Sequence, residues 1–65
     1  MLLDQYDEIL TVEEACEILR VGKNALYDML LNKQLKGYRN GRVWRIPKRA
    51  IVEYIIMMAH LRLDD

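Results

Sequence analysis

The hydrophobic period of this chain changes twice, and no other feature restricts its fold as much. Apolar residues recur at helical spacing up to about residue 32, alternate between 35 and 46, and return to helical spacing after Pro47. Side chains repeat about every 3.6 residues along a helix and every second residue along a strand, so one pattern cannot serve both. The order is therefore helices, a two-stranded ribbon, and a final helix.

Thr11 is followed three residues on by Glu14, the Thr-x-x-Glu capping box that opens a helix. Val12, Ala15, Cys16 and Leu19 then form one apolar stripe, which predicts a helix over 12–20, with Ile9 or Leu10 as a staple before it. Gly22 breaks the pattern and is expected to take a positive φ in a tight turn. A second helix is expected over 23–32, with Leu26, Met29 and Leu30 inward and Lys23, Asn24, Tyr27 and Asp28 outward. Two short helices joined by a brief glycine-containing turn make a helix-turn-helix, whose second helix normally enters the DNA major groove.

Leu35–Arg39 and Arg42–Ile46 flank Asn40-Gly41, a pair that favours the positive φ values of a two-residue hairpin turn. That register sets Arg39 opposite Arg42 at the tip, turns Trp44 and Ile46 inward, and points Val43 and Arg45 the other way. Pro47 ends the strand. A third helix is expected from Lys48 to about Leu63, with Ile51, Tyr54, Ile55, Met58 and Leu61 or Arg62 on its inner stripe. The fold expected is a single domain over 1–65, mainly α with a small β-hairpin: a winged helix-turn-helix.

With 65 residues and one cysteine, the domain must hold together on a small core without an internal disulfide; its 52% apolar content makes that feasible. Cys16 lies on an apolar stripe and reads as a small buried residue, and a reducing compartment fits. His60 has no partner at metal-ligand spacing, serine is absent, and Thr11 is explained as a cap. No nucleophile–base–orienter set can be assembled and no phosphate-cradling glycine loop is present. The expectation is a cytoplasmic protein that is not an enzyme, binds no cofactor or metal, and does not engage a membrane.

The chain is neutral overall, but its charges are sorted. Residues 1–19 carry six acids and no base, while residues 20–49 carry nine bases and a single acid, Asp28. A segment of net charge +8 is the electrostatic footprint of a polyanion-binding surface. On the second helix, Lys23 suits guanine or phosphate, Asn24 adenine, Asp28 cytosine, and Tyr27 a phosphate or a thymine methyl. Arg39, Asn40, Gly41 and Arg42 form a thin basic tip able to enter a minor groove. Lys33, Lys36, Arg45, Lys48 and Arg49 are candidate phosphate contacts, though each alone is an ordinary surface charge. The third helix is apolar on more than one face, which makes Ile56 and Met57 a candidate partner surface.

Three blocks carry a family resemblance: Leu10-Thr-Val-Glu-Glu-Ala-Cys-Glu-Ile-Leu19, Val21-Gly-Lys-Asn-Ala-Leu-Tyr27 and Gly41-Arg-Val-Trp-Arg-Ile-Pro47. In order and spacing they resemble the excisionase family of small DNA-binding domains, related to the MerR-type winged helix-turn-helix, over residues 10–55. The resemblance implies double-stranded DNA as partner, with the second helix in the major groove and the wing in the adjacent minor groove. It also implies a recombination directionality factor that assists a tyrosine-type integrase and binds cooperatively beside copies of itself. The chain departs from the family at Gly22, where a serine-like cap is usual, and at Asp28, where a base is usual. Arg49-Ala50 replaces the usual Ser-Asp. Two other readings of the same residues are a small transcriptional regulator of phage or mobile-element type, and a protein-interaction module that binds no DNA.

Overall fold

A capping box starts the helical part of the chain. In the computed structural model, which describes Leu3 and residues 6–60, Glu14 N–H donates to Thr11 Oγ1 at 3.1 Å and Thr11 N–H donates to Glu14 Oε1 at 3.0 Å. Two otherwise orphaned backbone donors are satisfied, and such a cap is typically worth about 1 kcal/mol. Helix α1 (Val12–Leu19) buries Val12 and Ala15. Helix α2 (Lys23–Leu31) follows a short turn and buries Leu26, Met29 and Leu30, the three positions its spacing predicts.

The left-handed residue of that turn is Arg20, at φ 57°, and not Gly22, whose φ is −76°. The chain turns off α1 at once, and the N–H groups of Arg20 and Val21 both return to the Cys16 carbonyl. Gly22 stands extended as the N-cap of α2 and supplies no side-chain cap. Helix α2 closes with a Schellman arrangement: Gln34 N–H bonds the Met29 carbonyl at 2.9 Å and Lys33 N–H bonds the Leu30 carbonyl at 3.2 Å. That geometry places Lys33 in the left-handed region, at φ 62°.

Three strands form one antiparallel sheet in the order β1-β3-β2: β1 (Ile9–Leu10), β2 (Tyr38–Asn40) and β3 (Val43–Pro47). Strand β1 is an addition to the expected ribbon; at two residues it is too short to leave a period in the sequence. The hairpin turn also sits one residue later than expected, which moves each cross-strand partner by two. Asn40 pairs with Val43 and Arg39 with Trp44, so the turn is Gly41-Arg42 and the two arginines are not opposite each other. Gly41 alone takes positive φ, at 70°, while Asn40 stays extended; this is the sign pattern of a type II′ turn with glycine first. Leu35 leaves the strand altogether and enters the core.

Ile46 on the central strand is wholly buried and pairs with Leu10, also wholly buried. Leu26, Leu35 and Ile51 complete the inner layer, and Trp44 packs half-buried at its rim. Helix α3 (Lys48–Met58) lays Ala50 and Ile51 onto this core, with Tyr54 and Ile55 half-buried beside them. It ends earlier than its apolar run suggests: Ala59 caps it and His60 turns left-handed, at φ 57°. Met58, expected inward, is 54% exposed. Leu61, Arg62 and the expected continuation to about 63 lie outside the described residues.

Gly37 is where the hairpin meets α2. A Cβ there would stand 2.8 Å from Leu30 Cδ2 and 3.1 Å from the Arg45 carbonyl oxygen. Leu30 can rotate but the strand carbonyl cannot, so Gly37→Ala is expected to destabilise by about 1–3 kcal/mol, read as a lowered Tm. Lys33→Gly is expected to act oppositely. It relieves a left-handed non-glycine residue and gains about 0.5–1 kcal/mol after the added unfolded-state entropy; an unchanged or lower Tm would contradict this.

Candidate nucleic-acid interface

The outward face of α2 is open. Lys23, Asn24, Tyr27 and Asp28 are all exposed, Tyr27 only just so, because the helix turns Leu26, Met29 and Leu30 into the core. The first turn of α2 carries no acid and no side-chain cap. Its first N–H groups thus remain available to an anion at the positive end of the helix dipole.

The wing presents two unlike faces. Arg39 shares the Trp44 and Ile46 side but remains exposed beyond the core rim. On the outer side stand Tyr38, Asn40, Val43 and Arg45, with Tyr38 and Val43 exposed and Arg45 half-buried. At the tip, Gly41 and Arg42 are exposed. The contact of Gly37 with Leu30 fixes the base of this wing against the last turn of α2.

The five candidate phosphate contacts have different surroundings. Lys33 and Lys36 are exposed in the connection between α2 and the wing. Arg49 is exposed but its Nε donates to Glu53 Oε2 at 3.2 Å, one helical turn along α3. Lys48 faces inward along the N-terminal segment: its ammonium donates to the Tyr6 carbonyl at 3.3 Å and lies 3.6 Å from Glu8 Oε1. With a side chain only 18% exposed and its own N–H bonded to the Glu8 carbonyl at 2.8 Å, Lys48 works as a strut between the N-terminal segment and the start of α3. Of the candidate partner residues, Met57 is exposed and Ile56 half-buried, while Met58 supplies further exposed apolar surface.

Sequence reasoning missed one member of this surface. Glu13, one of the six acids of residues 1–19, reaches across to α2: its Oε2 lies 3.2 Å from Lys23 Nζ. Its own backbone N–H and then the Lys23 ammonium hold the Glu13 carboxyl below the usual carboxylate range, and Glu13 in return raises Lys23. Lys23 is ten residues beyond Glu13, outside the i, i+4 reach of a single helix. Only the turn between the helices brings them together. Farther along α1, Tyr6 donates its hydroxyl proton to Glu17 Oε1 at 2.8 Å, and that hydrogen bond raises the phenol above its ordinary value.

The comparisons with known proteins agree with this geometry. The profile of a family described as a helix-turn-helix domain matches residues 9–56, from β1 into α3. The chain belongs to that helix-turn-helix family. A relative described as "Probable excisionase" from Saccharopolyspora erythraea is 39% identical over 46 residues, covering 71% of this chain and 47% of that protein. The chain thus spans about half the length of the curated relative it matches. No solved structure matches it. The chain is a DNA-binding helix-turn-helix domain of excisionase-like sequence. Among the described residues, no helix is long and apolar enough to cross a membrane, and no group of three potential metal ligands comes together.

Glu13 gives this interface a pH signature. A carboxyl depressed in the folded state contributes stability that is present above its unfolded pKa and lost as pH falls through the folded value. In an NMR titration, Glu13 is expected to titrate below the usual range in the native protein. Lys23→Met is expected to move it upward only part of the way, because the backbone N–H remains. No movement at all would mean that the ion pair does not form in solution.

Proposed function

We propose that this protein binds duplex DNA with α2 in the major groove and the β2–β3 wing in the adjacent minor groove. It does so as a recombination directionality factor beside a tyrosine-type integrase. The observation that carries the reading is the combination of an open polar face on α2 with an exposed glycine-arginine wing tip, joined rigidly through Gly37. A recognition helix and a wing read neighbouring grooves only if their spacing is fixed, and the close approach at Gly37 supplies a fixed joint.

In this reading Asn24 and Asp28 face base edges, Asn24 toward adenine and Asp28 toward the cytosine amino group. Lys23 and Tyr27 flank them at the backbone. Arg42 enters the minor groove from the wing tip, with Gly41 and Asn40 shaping the turn and Arg39 set back one residue. Lys33, Lys36 and Arg45 add phosphate contacts, and Arg49 joins them if it leaves Glu53. Lys48 is not among them, because its ammonium is occupied within the fold. The similarity to a protein described as a probable excisionase supports the recombination role. No catalytic group is needed for it: the factor acts by occupying and shaping DNA next to an enzyme. The exposed end of α3 around Met57 supplies the protein-facing surface for an integrase or a neighbouring copy on DNA.

The test is a set of binding titrations against salt. Neutralising about five phosphates gives a slope near −4 to −5 in log K against log salt. Arg42→Ala is expected to weaken binding to every sequence and flatten that slope by about one unit. Asn24→Ala is expected to cost about 1–3 kcal/mol and to relax preference at one base position. Salt-insensitive binding, or an Asn24→Ala variant with unchanged preference on every site tested, contradicts the corresponding part of the reading.

A further inference from the structure

We infer that Glu13 is a specificity-determining residue: an internal counter-ion that occupies Lys23 and must yield it when a phosphate takes its place. The inference rests on the DNA reading above and assigns a role to a residue outside both DNA-contacting elements. Lys23 is the first residue of α2, and its ammonium is 3.2 Å from Glu13 Oε2 on α1, with the two side chains 60% and 67% exposed. The pair is therefore open to solvent and to an approaching polyanion. It is not held within the fold, as the ammonium of Lys48 is by the Tyr6 carbonyl.

The placement has an electrostatic consequence. A lysine at the N-terminal end of a helix sits against the positive end of the dipole, and α2 has no acid of its own in its first turn. Glu13 supplies the missing negative charge from the neighbouring helix. When DNA approaches, a phosphate can provide the same charge, but Glu13 then stands beside the phosphate as an uncompensated like charge. The exchange makes Lys23 a nearly neutral contributor to binding. A free lysine adds affinity for any duplex, because phosphate contacts carry no sequence information. Holding Lys23 internally thus lowers sequence-independent binding and leaves discrimination to Asn24 and the rest of the α2 face.

The counterion balance turns this into a measurement. A lysine that newly pairs with phosphate releases about 0.9 of a counterion from duplex DNA. In the native protein that release is offset by the cation that gathers around the freed Glu13. In Glu13→Gln it is not offset. The variant is expected to bind a non-cognate duplex about two- to five-fold more tightly and to steepen the salt slope by about 0.9. In a Lys23→Met background the same substitution is expected to leave the slope unaltered, because no lysine is released to a phosphate, although the lost like charge still tightens binding slightly. Glu17→Gln, an equal charge change on the same helix directed at Tyr6 rather than Lys23, is expected to leave the slope unaltered.

An unchanged slope in Glu13→Gln overturns the inference. So does an equal slope change in Glu17→Gln, or a slope change by Glu13→Gln that survives in the Lys23→Met background, because either would assign the effect to net charge alone. Native protein that binds no duplex in a salt-dependent way overturns the DNA reading itself, an outcome distinct from a native protein that binds normally and is indifferent to Glu13.

Discussion

The close approach at Gly37 is the constraint on which the interface depends. Here the chain leaves α2, passes Leu35 into the core, and lays its next backbone atoms against Leu30 and the Arg45 carbonyl. A methyl group at this point would push the hairpin off the helix. Ile46 continues the same seam from the sheet side, pairing with Leu10 and sealing β1 beneath. The core of this small domain therefore sets the distance between α2 and the wing as well as supplying stability.

Charge is the second organising element, and the structure divides it by role. Basic residues that looked equivalent in the sequence are not equivalent in the fold. Lys48 ties the N-terminal segment to the start of α3, Lys23 is held by Glu13, and Arg49 is held by Glu53. Arg42, Lys33 and Lys36 have no ion-pair partner among the described residues. The acids of the first third of the chain are likewise distributed: Glu14 closes the capping box, Glu17 receives Tyr6, and Glu13 meets the recognition helix. A neutral chain can in this way expose a basic surface whose strength is set residue by residue.

The helices were legible because their information is local. Thr11 and Glu14 specify the start of α1 within one turn, and Leu26, Met29 and Leu30 specify the inner face of α2 by spacing alone. The outward residues of α2 followed from the same period. The features that escaped depend on contacts distant in sequence or on a single dihedral. Strand β1 exists because Leu10 meets Ile46, thirty-six residues away, and two residues leave no periodic signal. The hairpin register turned on whether Asn40 or Arg42 joined Gly41 in the turn, and both choices preserve the alternation of Trp44 and Ile46. The contact between Glu13 and Lys23 required the exact angle of the turn between α1 and α2. That angle is set by a left-handed arginine where a glycine nearby drew attention.

That arginine belongs to a pattern. Each of the three helices is followed by a non-glycine residue with positive φ: Arg20 after α1, Lys33 after α2 and His60 after α3. Glycine takes this conformation without the steric conflict that a side chain meets, at a difference of about 1–2 kcal/mol per site. Arg20 and Lys33 carry basic side chains at the negative end of a helix dipole, where positive charge is favoured. The dipole term alone is about 0.3–1 kcal/mol at an exposed site, which does not fully offset the strain. For Lys33 the position matters as well: it sits between α2 and the wing, where a glycine would complete the same turn but add no positive charge. The Schellman turn at the end of α2 thus trades a fraction of folding stability for a positive charge between α2 and the wing.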